Sequence, residues 1–153
     1  MNREHLIAFV QESFAIEGIK EVSDDAINAH IDFINLDHVG VPELVAFVKR
    51  LDPSVELRNK LTGNTVKVGG HVAPKDGPWV EEALRELLGE PRGDIMRWHH
   101  RYLHLHPFTD CNGRSGRALW AWQSRKSGWL DHALRVGFLR WWYYETLAMM
   151  DGR

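Results

Sequence analysis

The chain has 153 residues, 44% of them hydrophobic and 26% charged, which suits one domain built on a single core. Its formal net charge of −2 argues against nucleic acid or an anionic membrane as the main partner. A single cysteine excludes an intramolecular disulfide and a cysteine-built zinc cage, and no apolar run reaches the length of a membrane span or a signal sequence, so a cytoplasmic protein is expected.

Leu6, Ile7, Val10 and Phe14 recur at helical spacing over residues 3–17, and Gly18 stands where that helix would stop. Ser23 caps a second helix, Asp24 and Asp25 place acid in its first turn, and Ile27, Ile31 and Ile34 form its face. Pro42 opens a third helix that runs to about Leu51. From 57 to 78 the pattern changes: Gly63, Gly69, Gly70 and Gly77 surround the β-branched segment TVKV (65–68). This reads as a β-hairpin with 61–64 as its turn and TVKV as the return strand. Helices resume over 78–88, break at 89–93, and continue from an Asp94 cap through His104. Another runs from about Asn112 to Lys126, and 131–149 make one or two more. Five of the seven tryptophans (Trp120, Trp122, Trp129, Trp141, Trp142) fall in this last third and are expected to carry much of the core. Residues 1–153 therefore read as one mainly α domain with a small β-hairpin.

Between two of these helices lies HPFTDCNGRSGR, residues 106–117. Pro107 forces the chain out of the preceding helix and leaves the imidazole of His106 at its end, able to accept a proton near neutral pH. Asp110 is a hard oxygen ligand of the kind that holds Mg2+ on substrate phosphates. Asn112 and Gly113 then enter a helix N-terminus, where free N–H groups and the dipole favour an anion. Arg114 and Arg117, one turn apart, can both fork onto phosphate oxygens. Base, metal ligand and phosphate clamp together describe chemistry on a nucleotide.

These residues resemble the Fic family, whose loop has the form H-P-F-x-(D/E)-G-N-(G/K)-R-x-x-R and is matched here at every fixed position but one. The resemblance runs from about Leu57 to the C-terminus. It implies a helical bundle around a central catalytic loop-helix (94–126), with the hairpin region 57–78 as a target-docking flap. It implies a protein adenylyltransferase moving AMP from ATP to a Ser, Thr or Tyr hydroxyl of a target protein. His106 would be the general base, Asp110 the Mg2+ ligand, and Asn112 with the Gly113 amide the support of the α-phosphate. Arg114 and Arg117 would bind the β- and γ-phosphates, and Pro107 and Phe108 would fix the loop. The flap residues Thr65, Val66, Lys67 and Val68 would pair with an extended target segment. Transfer of another nucleotide or phosphate group, removal of AMP, and nucleotide binding without turnover stay open as alternatives, as does a homodimer.

Cys111 occupies the one mismatched position, where the family has glycine. A Cβ here meets a tight turn, yet the related Doc toxins carry alanine at this point, so a small side chain is compatible with activity. A redox switch is the alternative role, because a thiol beside a helix N-terminus and two arginines is expected to have a lowered pKa. Upstream, SFAIEG (13–18) fits the family's inhibitory motif (S/T)-x-x-x-E-(G/N) within a helical segment 1–20. Glu17 would pair bidentately with Arg117, and Ser13 would hydrogen-bond near the phosphate nest. The histidines 99, 100, 104 and 106 tempt a metal reading. His100 and His104 are i,i+4, but no glutamate stands between them, so zinc is set aside. His99 falls on the apolar side with Ile95 and Tyr102 and reads as a core histidine bonded to backbone.

Overall fold

Short polar side chains start three of the helices by accepting an otherwise unpaired N–H of the first turn. Asn2 accepts from Glu4 N (2.9 Å), Ser23 from Ala26 N (3.1 Å) and Asp94 from Arg97 N (3.1 Å). The computed structural model describes residues 2–91, 93–128, 130–134 and 143–152. Along them lie α1 (Arg3–Ile16), α2 (Asp24–Ile34), α3 (Val41–Leu51), β1 (Lys67–Val68), β2 (His71–Val72), α4 (Pro78–Gly89), α5 (Ile95–Leu105), α6 (Asn112–Lys126), α7 (Leu130–Ala133) and α8 (Tyr144–Met150). The mainly helical fold with one small antiparallel sheet is the expected one. No helix among the described residues is long and apolar enough to cross a membrane.

The hairpin differs from the expectation. Lys67 pairs with Val72 and Val68 with His71, so the second half of TVKV is the outgoing strand and Gly69–Gly70 is the turn. Gly69 sits at φ +60, the left-handed geometry that two-residue hairpin turns require and glycine adopts freely. An Ala73 N–H bond to Val66 O (2.8 Å) extends the ladder. Residues 61–64 form no strand turn; Thr62 instead donates to Asp76 Oδ2 (2.7 Å).

α6 is the central helix, packed against α1, α2, α3, α5 and α7. Its buried run includes Leu119, Trp120, Ala121 and Trp122. Phe9 of α1 stacks on Trp120, with ring centroids 6.0 Å apart. Trp122 Nε1 donates to Leu36 O (2.8 Å), while Arg125 donates to Ile34 O and Leu36 O, which pairs carbonyls at the end of α2. Trp120 and Trp122 thus carry core as expected; Trp129, Trp141 and Trp142 lie outside the described residues. At Gly116 the α5 side chains press against the α6 backbone: a Cβ there would sit 3.0 Å from both the His99 and Tyr102 rings.

Two histidines are sealed in this core. His99 bonds through Nδ1 to Gly116 O (3.0 Å) and through Nε2 to Tyr143 Oη (2.7 Å), a core histidine as its spacing indicated. The carbonyl must accept, so Nδ1 carries the proton and Nε2 accepts from the tyrosine. His30 bonds through Nδ1 to Ala26 O (2.7 Å). Burial, reinforced by the positive charge of Arg117, lowers their pKa values to about 3 for His99 and about 4 for His30. The unfolded chain therefore binds up to about two more protons than the native state once the pH drops below 6.5. Their contribution to stability is fully present above that pH and is lost progressively as the pH falls towards the folded values. Thermal unfolding followed by circular dichroism should show Tm falling steadily from pH 7 to pH 5, and a flat Tm would contradict the buried neutral imidazoles.

Candidate active site

The backbone makes two left-handed turns between α5 and α6, at His106 (φ 50) and Cys111 (φ 63). Neither is glycine, so the loop must be held from outside. Residues 56–58 do this. Arg58 N donates to Pro107 O (2.8 Å), Thr109 N to Glu56 O (2.9 Å), and Glu56 N to Thr109 Oγ1 (3.0 Å), while Leu57 bridges Phe108. Phe108 is buried in the core beneath this segment. Asn112 latches it from inside: its Oδ1 accepts from Phe108 N (2.9 Å) and its Nδ2 donates to Phe108 O (2.8 Å). Both ends of that carboxamide are thereby engaged with the loop, so any phosphate contact at Asn112 falls to its backbone N–H.

Sequence reasoning missed Arg58, whose side chain is 1% exposed. It donates through Nε to Asp76 Oδ1 (2.7 Å), through Nη1 to His106 O (2.7 Å) and through Nη2 to Pro74 O. One guanidinium thus ties the residue before Pro107 to both sides of the flap. Burial opposes ionisation of Asp76, but the bonds from Thr62 and Arg58 outweigh it and its pKa is lowered. Asp76, 18 residues away, was the only sequence signal for this pair, and an isolated opposite charge at that distance marks nothing.

His106 is half-buried, and its pKa lies below the ordinary value. Burial is the main cause and the nearby Arg58 charge the second; the Leu103 carbonyl and Asp110 oppose them. Nδ1 is buried without a hydrogen bond, so the role of acceptor from an incoming hydroxyl falls to Nε2. The imidazole is accordingly neutral at pH 7, the form a general base needs.

At the other end of the loop, no side chain caps the first N–H groups of α6. Asp110 Oδ1 accepts from Cys111 N (2.6 Å) and lies 3.6 Å from Arg114 Nη2; its side chain is 69% exposed, an accessible hard ligand that fits a magnesium ion. Arg114 lies over the Phe14 ring at 5.3 Å, and its Nε is buried without a hydrogen-bond partner. Arg117 is 2% exposed and stacked 5.7 Å from the Tyr143 ring. Its Nε donates to Ser13 Oγ (2.7 Å), and its Nη2 to Ser13 O (2.9 Å) and Glu17 Oε1 (2.7 Å). The expected bidentate Glu17 pair is a single bond here, with Ser13 accepting from Nε and sharing Nη2 with the carboxylate; Ser13 holds the arginine rather than the nest. The Glu17 carboxylate lies where a Cβ on Gly113 would sit, so it closes directly over the start of α6.

Cys111 does not have the reactive environment expected of a switch. It is 2% exposed and packed in the hydrophobic core, and burial pushes its thiol up to about 11 against the opposing pull of Arg114. A protonated, enclosed thiol resists oxidation. The side chain that replaces glycine is thus enclosed by the core.

The sequence model of the Fic/DOC family matches residues 47–124, just over half of the chain and the whole of this loop. The chain belongs to the Fic/DOC family. Membership supports a transferase-type enzyme acting on nucleotide-related substrates. The match ends at residue 124, short of the C-terminus to which the loop's resemblance was extended, and it leaves Ser13 and Glu17 outside. No curated protein matches the chain. Within the Fic domain, Arg58→Ala should strand Asp76 and free the loop, costing about 3–5 kcal/mol as for a broken buried pair. A fall in Tm on the order of 10 °C is expected in a thermal melt; a fall no larger than that of Arg50→Ala, whose pair with Asp32 is exposed, would refute the role given to Arg58.

Proposed function

We propose that this Fic protein is a cytoplasmic adenylyltransferase that moves AMP from ATP to a Ser, Thr or Tyr hydroxyl of a target protein, and that Glu17 holds it inhibited. The observation that carries the reading is a protein carboxylate seated on buried Arg117 against Gly113 at a helix N-terminus. An anion is what that place is built to hold, and the chain fills it with its own.

In the proposed reaction His106 Nε2 takes the proton of the attacking hydroxyl. The hydroxyl oxygen bonds to the α-phosphorus as the bond to the β-phosphate oxygen breaks, and pyrophosphate leaves. The backbone N–H groups of Asn112 and Gly113 stabilise charge that develops on the α-phosphate. Arg114 takes the β-phosphate, and Arg117 takes the γ-phosphate once Glu17 yields it. Asp110 would hold Mg2+, which when bound neutralises phosphate charge. With Glu17 in place the γ-phosphate is denied its guanidinium and the α-phosphate is misaligned. The flap, 65–68 included, offers its strand to an extended target segment. The burial of the Cys111 side chain in the core speaks against an inactive module.

The test is the intact mass of wild type, Glu17→Gly and Glu17→Gly/His106→Ala after incubation with ATP and Mg2+. Self-modification by one or more AMP groups is expected on Glu17→Gly, at least about 100-fold faster than on the double variant. A Glu17→Gly protein that neither gains mass nor binds ATP would overturn the reading. The rate for Glu17→Gly should also rise with pH to a plateau whose midpoint lies below 6.5, because the base works deprotonated and its pKa is lowered. A midpoint above 6.5 would assign proton removal to another group.

A further inference from the structure

One turn before His106, a cluster of side chains lies outside the loop's chemistry. His100 and His104, neighbours on α5, both direct Nε2 at Asp151 Oδ1, at 2.6 and 3.2 Å. Asp151 follows α8, so the third member comes from 47 residues further along the chain. Zinc was set aside on sequence grounds because no glutamate stands between the two histidines in the chain. Folding supplies a carboxylate from elsewhere.

We infer that His100, His104 and Asp151 form a binding site for a zinc-class divalent cation that ties α8 to α5. Two imidazoles and one carboxylate are a donor set suited to zinc, with the fourth tetrahedral position left to water. The three ligand atoms lie within 4.8 Å of one another. Ligands bound at about 2.0–2.1 Å in a tetrahedron stand roughly 3.3 Å apart, the separation the His104–Asp151 pair already has; the His100–Asp151 pair needs to open by roughly 0.7 Å. The side chains are 17%, 33% and 24% exposed, so an ion can enter from solvent while the rings remain supported.

The support comes from the flap. His71 of β2 stacks on His104, with centroids 4.1 Å apart, and its Nε2 reaches His104 O at 3.2 Å. The His104 ring is thereby held between His71 and His100, whose ring centroid is 4.0 Å away. Both histidines aim Nε2 at one carboxylate oxygen, and a cation replaces the protons that otherwise bridge them. The site is independent of the adenylylation reading.

The test uses the full chain without a histidine tag, stripped with a chelator and titrated with Co2+, then Zn2+. One equivalent of Co2+ per chain should bind with the intense visible absorption of a tetrahedral site, be displaced by Zn2+, and raise Tm. Asp151→Asn keeps the side chain's size and should weaken Co2+ binding at least about tenfold, as should His100→Ala/His104→Ala, whereas Asp110→Asn should leave it intact. Absence of stoichiometric Co2+ binding, binding undiminished by Asp151→Asn, or binding lost with Asp110→Asn would each overturn the site.

Discussion

Between Leu105 and Asn112 the backbone must leave one buried helix and enter another, and it does so through two left-handed residues that are not glycine. Such conformations cost about 1–3 kcal/mol each and persist only where the surroundings over-determine them. The surroundings here are the 56–58 segment, the Asn112 latch and the Arg58 guanidinium. Their joint effect is to fix the His106 ring at one end of the loop relative to the uncapped N–H groups at the other. A flexible loop could present the same residues; only a held one presents them in register.

The second constraint is charge. Arg114 and Arg117 are largely buried at the positive end of α6, where an unpaired guanidinium is costly. The chain answers with α1: Ser13 and Glu17 satisfy Arg117, while Phe14 faces Arg114. The same positive field reaches the core histidines, helping to keep His30 and His99 uncharged. Their neutral rings can then serve as packing groups, bonded to backbone within α2 and across the α5–α6 contact. Gly116 belongs to this arrangement as well, since it admits the His99 and Tyr102 rings against α6.

The first five helices were legible because their starts are marked by a local cap or proline and their faces by local periodicity. The loop was legible because its residue types are rare in combination. What escaped notice depended on distance along the chain. Arg58 has no local mark of burial, and its partners lie at 74, 76 and 106. Asp151 is one acid among many until folding sets it beside His100. The hairpin turn was misplaced because four glycines compete for it, and only pairing across the strands singles out Gly69–Gly70. For Cys111 the sequence showed the neighbouring charges but not the side of the turn on which the thiol lies, and burial there reverses the expected shift.

The contact between Ser13 and Arg117 spans 104 positions, and its order along the chain has a bearing on biosynthesis. The chain is made from its amino end, so α1 leaves the ribosome well before the arginine it engages. When α6 emerges and docks, the serine and carboxylate that neutralise it are already available. No interval arises in which a folded loop stands with Arg117 bare for want of material still to be made. Had the same helix followed α6, every new molecule would have passed through such an interval.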